Sequence, residues 1–148
     1  MQYFGLELYE KYKKQLTPED LPVFEFMILN KSWWDTVDFI APKLVAGLFR
    51  VEPKLITRTT TRWMNSKNIW LIRSSLIFQL HYKINTNETL LAKLILQCSD
   101  HSDFFVRKAI GWSLRQYART NPVFVKKFVK LHQKQLAPLS FREALKNL

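Results

Sequence analysis

Glycine and cysteine are scarce in this 148-residue chain, and their scarcity excludes several classes of protein. The three glycines, Gly5, Gly47 and Gly111, are too few for a fold of tight hairpins or for a glycine-rich phosphate loop. Walker-type and Rossmann-type nucleotide sites are therefore excluded. The single cysteine, Cys98, has no partner for an internal disulfide, which is typical of a protein in a reducing compartment.

Metal-ligand spacings and long apolar runs are missing as well. The three histidines, His81, His101 and His132, do not have the spacing of a structural metal site, and we expect no metal. No apolar stretch reaches the length of a membrane span, and the N-terminus lacks the layout of a signal peptide. The sequence therefore predicts a soluble protein that is intracellular and has no membrane association.

Acidic residues are few after the first quarter of the chain. Residues 1–38 contain four Lys or Arg against seven Asp or Glu, whereas residues 39–148 contain nineteen against five. The net charge of +11 thus belongs to the later part of the chain. Such a surface favours a polyanionic partner, nucleic acid first and an acidic membrane second. A lysine-rich surface that is merely solvated remains the alternative.

The apolar pattern indicates helices throughout, since no stretch shows the period-two alternation of a strand. Short polar turns separate nine predicted helices, at about 2–14, 17–30, 33–49, 52–64, 69–83, 87–98, 104–119, 120–135 and from 140 onward. The last of these is predicted to begin with a capping box formed by Ser140 and Glu143.

An internal repeat relates two of these helices. Residues 72–76 and 106–110 share an apolar-Arg-x-small-apolar pattern at a spacing of 34 residues, and Asp38 precedes Arg73 by 35. A period in the mid-thirties with two helices per unit predicts an all-α fold, an α-solenoid of HEAT-like helical repeats forming one domain over residues 1–148. An irregular helical bundle is the alternative.

The stretch from Ser32 to Asp38 begins the third predicted helix, with Ser32 as its N-cap and Trp33 as its first residue. A buried stripe is predicted at Trp33, Val37, Ile40, Leu44 and Leu48. Trp34 and Asp38 lie off that stripe, one turn apart on one face. From the helix alone, packing of Trp34 against a neighbour and simple solvation of Asp38 are favoured over a functional role.

Two later residues have neighbours of the opposite character: an arginine among apolar residues and a tryptophan among basic ones. Arg73 has apolar residues at its neighbouring helical positions, so its guanidinium needs a partner, either Asp38 one repeat earlier or a phosphate from a ligand. Trp112 shares a helix face with Lys108 and Arg115, which favours contact with a nucleic acid over a role at the edge of the core. The neighbouring basic residues Arg107 and Arg119 are predicted to bind the nucleic acid as well.

Four segments in order resemble the AlkD-like DNA alkylation repair glycosylases: SWWDTVD at 32–38, NIWLIR at 68–73, KAIGWSLRQY at 108–117 and LAPLSFREAL at 136–145. The resemblance covers nearly the whole chain. It implies a repeat solenoid that holds duplex DNA and hydrolyses the N-glycosidic bond of N3- or N7-alkylated purines, without base flipping and without a cofactor. The catalytic residues of that family match Trp34, Asp38, Arg73 and Trp112.

The sequence departs from the family pattern at its N-terminus. Family members have further helices before the segment that residues 2–6 match, and these helices are absent here. We therefore expect an N-terminally truncated form whose first helix exposes an apolar face and supports self-association. The implied setting is cytoplasmic and nucleoid-associated, in base excision repair. A non-catalytic HEAT-repeat module that binds DNA or protein is the alternative function.

Overall fold

The computed structural model describes residues 15–30 and 33–148, and their backbone is helical wherever it is regular. No strand occurs within these two ranges, which confirms the predicted all-α class. The chain divides into two compact units, one ending at Phe78 and the other running from Gln79 to Leu148. The helix predicted at 2–14 lies outside the described residues.

The first unit is built around large aromatic side chains. Its helices are α1 (Leu21–Asn30), α2 (Trp34–Phe39), α3 (Ala46–Val51), α4 (Leu55–Asn65) and α5 (Ile69–Ile77). Phe49 lies at their centre, with its ring 5.0 Å from that of Phe78 and 6.3 Å from that of Trp63. All three rings are fully buried, so these contacts join α3, α4 and the end of α5.

A π-helical segment at Ile40–Val45 links α2 to α3 and makes residues 34–51 one continuous helical run. Pro42 lies within this segment, where the wider turn accommodates a residue without an amide hydrogen. The predicted stripe is confirmed at Val37, Ile40, Leu44 and Leu48, all of which are fully buried.

The predicted start of this helix at Trp33 is wrong by one residue, because α2 begins at Trp34. Trp33 is the N-cap and has an extended backbone, with φ −98° and ψ 141°. Its side chain therefore leaves the helix before the first turn and is 68% exposed, so its predicted place in the buried stripe is also wrong. The predicted N-cap, Ser32, lies outside the described residues.

The second unit contains α6 (Glu88–Gln97), α7 (Phe104–Tyr117), α8 (Pro122–Leu131) and α9 (Pro138–Ala144). Short 3-10 turns at Lys83–Asn85 and Leu145–Asn147 complete it. The core is formed by buried residues of all four helices: Leu91, Leu94, Ile95, Val106, Ile110, Leu114, Val125, Phe128, Val129 and Ala144. Helices α7 and α9 approach each other very closely at Gly111.

Helix starts follow the sequence prediction better than helix ends. The side chains of Asn87, Asp103 and Asn121 each accept a backbone amide at the start of α6, α7 and α8. Helix α5 was predicted to continue to residue 83 but ends at Ile77, because the chain turns over residues 78–81 and Lys83 adopts a left-handed φ of 53°.

The capping box predicted at Ser140 and Glu143 is wrong, since α9 begins at Pro138 with Ala137 as its N-cap. Both side chains lie inside the helix and contact other residues instead. The Ser140 hydroxyl donates a hydrogen bond of 2.9 Å to the carbonyl of Arg107, and Glu143 binds basic side chains. A proline at the first helical position therefore sets the start of α9.

Within residues 15–30 and 33–148, no helix has the length and apolar character needed to cross a bilayer. Nor do three or more potential metal-ligating side chains come together anywhere in these ranges.

Candidate functional site

An ion pair joins the half-buried Asp38 on α2 to the buried Arg73 on α5. The Arg73 Nε donates to Asp38 Oδ1 and the Nη2 to Oδ2, each at 2.8 Å, so the guanidinium holds the carboxylate at both oxygens. The two side chains are only 7% and 15% exposed. Of the two partners that the sequence left open for Arg73, the structure shows the internal carboxylate, and the expected simple solvation of Asp38 is wrong.

The position of Arg73 is fixed by the start of its helix. The Asn68 side chain caps α5 by accepting the amides of Trp70 and Leu71 at 2.9 and 3.2 Å. Every residue from 71 to 77 is buried, so the Arg73 guanidinium is withdrawn from water and Asp38 balances its charge. The pairing across 35 residues therefore follows from one capped helix packed against another.

Trp34 lies one turn before Asp38 on α2 and is 55% exposed. The expectation that it packs against a neighbouring helix is therefore wrong for most of its surface. An exposed indole one turn from a half-buried carboxylate offers an electron-rich ring face near a negative charge. Trp34, Asp38 and Arg73 thus form one group in the first unit.

The predicted DNA-binding residues lie in the second unit, together with the half-buried Trp112 on α7. Lys108 and Arg115 both bind Glu143 of α9, through Nζ to Oε1 at 2.9 Å and Nη1 to Oε2 at 3.2 Å. Lys146 adds a third cation, with its Nζ 2.9 Å from Oε1. Glu143 and Lys146 thus belong to this group, although neither was predicted to be a site residue.

The remaining two predicted bases have different environments. The Arg107 Nε donates a hydrogen bond of 2.8 Å to the carbonyl of His101, which holds the guanidinium against the turn before α7. Arg119 follows the end of α7 and is exposed. All four bases thus belong to α7 or its C-terminal turn.

Two further carboxylates bind buried side chains that sequence analysis did not single out. Glu25 of α1 accepts from the indole nitrogen of the buried Trp63 at 2.8 Å and also binds Arg62. Its isolated position in the apolar run at 21–29 is a signal that it needs a partner. In the second unit Glu88 accepts a hydrogen bond from the Tyr117 hydroxyl. Burial, and to a smaller extent this hydrogen bond, raises the pKa of the Tyr117 phenol to about 12.

Hydrogen bonds from Lys146 and then Lys108 lower the pKa of Glu143 from 4.5 to about 2. Because the folded state favours the ionised form, this carboxylate stabilises the fold fully above pH 4.5 and loses that contribution as the pH falls towards 2. We expect the melting temperatures of wild type and Glu143→Gln to differ at neutral pH and to converge in this acid range. Thermal melts across the range test this, and a constant difference would contradict it.

Comparison with known proteins places these residues in context. A family model described as "DNA alkylation repair enzyme" matches residues 1–148. A similar solved structure is titled "Predicted DNA alkylation repair enzyme from Enterococcus faecalis", with 33% sequence identity and a TM-score of 0.87. That match covers 99% of this chain and 68% of the other. No curated protein matches the chain. The predicted fold class, an α-solenoid of helical repeats, is confirmed.

Proposed function

Because the chain belongs to the DNA alkylation repair enzyme family, we propose that it is a DNA glycosylase acting on N3- and N7-alkylated purines in duplex DNA. The observation that carries this proposal is the bidentate Arg73–Asp38 pair with the open Trp34 one turn away. Release of the base would leave an abasic site, the first step of base excision repair at the nucleoid in the cytoplasm.

The chemistry requires a negative charge more than a proton donor. An N3- or N7-alkylated purine is already cationic, so it departs with the electron pair of the glycosidic bond as a neutral base. The deoxyribose that remains becomes oxocarbenium-like, and a carboxylate beside it stabilises the developing positive charge. Water then adds to the sugar carbon and loses its proton, a step for which Asp38 is the base.

Pairing with Arg73 leaves Asp38 able to act on the sugar and on the attacking water. Each carboxylate oxygen has two lone pairs, and the guanidinium takes one at each oxygen. The remaining lone pairs can orient the attacking water and face the sugar. Arg73 thus holds the carboxylate in one orientation.

Trp34 is assigned to the sugar. An indole face attracts cations by about 0.5–2 kcal/mol, more when water is excluded, so it favours the oxocarbenium-like state over the neutral sugar. The exposure of Trp34 suits contact at the surface of a duplex, and this supports base release without flipping.

The direct test is release of 7-methylguanine and 3-methyladenine from alkylated duplex DNA, measured by chromatography of the free bases. We expect release from the alkylated duplex and none above background from the same duplex before alkylation. Binding to duplex without release from either one would instead support the non-catalytic DNA-binding module.

Binding should also depend steeply on salt, because the second unit contains twelve Lys or Arg against four Asp or Glu. Neutralising a few phosphates releases counterions, so affinity for any duplex should fall about tenfold or more between 50 and 200 mM salt. A salt titration of fluorescence anisotropy with two unrelated duplexes measures this. Affinity that is insensitive to salt, or that differs strongly between the two sequences, would contradict a phosphate-dominated interface.

A further inference from the structure

Three basic side chains of the second unit converge on the single carboxylate of Glu143. The amino groups of Lys108 and Lys146 both lie 2.9 Å from the same oxygen, and Arg115 donates to the other oxygen at 3.2 Å. The two amino groups are therefore within about 6 Å of each other, close enough for like charges to repel appreciably.

The close approach of two helices at Gly111 creates this arrangement. Lys108 and Arg115 lie one turn before and one turn after Gly111 on the same face of α7. A Cβ at Gly111 would be 2.4 Å from the Cβ of Glu143, so the α9 backbone rests directly on α7 there. The Glu143 carboxylate thereby lies between the two basic side chains.

The charges of this cluster, formed by Lys108, Arg115, Lys146 and Glu143, do not balance. One carboxylate faces three cations, and none of the three has another carboxylate partner in the part of the chain that the structure describes. Fastening α9 to α7 would require one ion pair only. Glu143 is 9% exposed, whereas the side chains of Lys108, Arg115 and Lys146 are 38%, 33% and 55% exposed. Their remaining N–H groups therefore face solvent.

We propose that Lys108, Arg115 and Lys146 form a binding site for one phosphate group and that Glu143 is the positioning residue that holds them. The surplus of two positive charges is complementary to a phosphodiester, and the solvent-facing donors of three side chains suit its oxygens. Trp112 lies on the same face of α7, between Lys108 and Arg115, where a sugar next to that phosphate would contact it. The proposal rests on the proposed function, which supplies the phosphate as part of a DNA backbone.

The test is binding of an unmodified duplex by the full chain, measured by fluorescence anisotropy over a salt series. Lys108→Gln, Arg115→Gln and Lys146→Gln should each weaken binding about tenfold, independently of sequence, and should reduce the salt slope by no more than about one, because the three side chains share one phosphate. Lys93→Gln, at an exposed lysine of α6, is the matched control and should have a much smaller effect. Equal effects of the control and the three cluster variants would overturn the site.

The Glu143→Gln variant distinguishes the positioning role of Glu143 from the effect of its negative charge on DNA binding. It removes a negative charge near the DNA, so charge alone predicts tighter binding, whereas loss of positioning predicts weaker binding. We expect weaker binding by a folded variant, and a smaller effect of Lys108→Gln in its background than in the wild type. Tighter binding would overturn the role of Glu143. If this variant does not fold, the Lys108→Gln and Lys146→Gln double-mutant cycle replaces it, and strict additivity would overturn a shared site.

Free phosphate is the alternative source of the ligand. At equal ionic strength, inorganic phosphate should compete with the duplex better than chloride does for wild type, but not for Lys146→Gln. Stabilisation by phosphate without any change in DNA affinity among the cluster variants would overturn the assignment to a DNA backbone. Since the duplex is not alkylated, these results are independent of base release, and failure of either proposal can be recognised separately.

Discussion

An Asp38→Asn variant should release alkylated bases at least about 100-fold more slowly than the wild type, because it loses the charge that stabilises the oxocarbenium-like state. The amide keeps the shape of the carboxylate, so the change isolates charge from packing. Duplex binding should be retained or slightly improved, since a negative charge near the phosphates is gone. Single-turnover release of 7-methylguanine measures the rate independently of binding.

The stability of this variant must be measured first, because Arg73 is 7% exposed and would lose its anionic partner. Asp35→Asn is the matched control: it makes the same chemical change three residues earlier on α2, where Asp35 accepts the amide of Thr36. We expect this control to release bases at nearly the wild-type rate. Wild-type release by a folded Asp38→Asn protein would remove Asp38 from the mechanism.

The pairing of Asp38 with Arg73 could be predicted from the sequence because two independent patterns indicate it. The apolar neighbours of Arg73 show that it is buried and needs a partner, and the repeat of about 35 residues selects the carboxylate one unit earlier. Exposure of Trp33 and Trp34 was not predictable in the same way. An aromatic residue in the first turn satisfies the helical pattern whether or not another element covers it.

The starts of α5 and α7 were predictable because their signals are local. An Asn or Asp side chain caps the amides that follow it whatever the rest of the chain does, as at Asn68 and Asp103. The ends of α5 and α8 have no glycine or proline to mark them, and the helical pattern alone extends them too far.

The group around Glu143 could not be predicted because tertiary packing overrides the local signal. Ser140 and Glu143 match the capping-box pattern, yet Ser140 binds the Arg107 carbonyl and Glu143 binds side chains of α7. Both contacts require the short distance between α7 and α9, which no pattern in either helix reveals.

Replacing Gly111 by Ala should destabilise the second unit by about 3 kcal/mol, although alanine is the better helix former. The new Cβ would lie 2.4 Å from the Cβ of Glu143 and 3.1 Å from the carbonyl oxygen of Ser140. Neither atom is at the end of a flexible side chain, so α9 as a whole must move away from α7. Chemical denaturation of wild type and variant measures the difference in the free energy of unfolding.

Gly47→Ala is the matched control, because this glycine is also helical and, among residues 15–30 and 33–148, its Cβ would meet only the end of the Leu16 side chain, at 3.1 Å. That methyl group can rotate away, so the control should be neutral or stabilised by up to about 1 kcal/mol through helix propensity. The displacement of α9 in Gly111→Ala should also separate Glu143 from Lys108 and Arg115, and so weaken DNA binding in the folded protein. If Gly111→Ala is as stable as Gly47→Ala, the two helices do not meet as closely as described and the positions of the three bases must be set by other contacts.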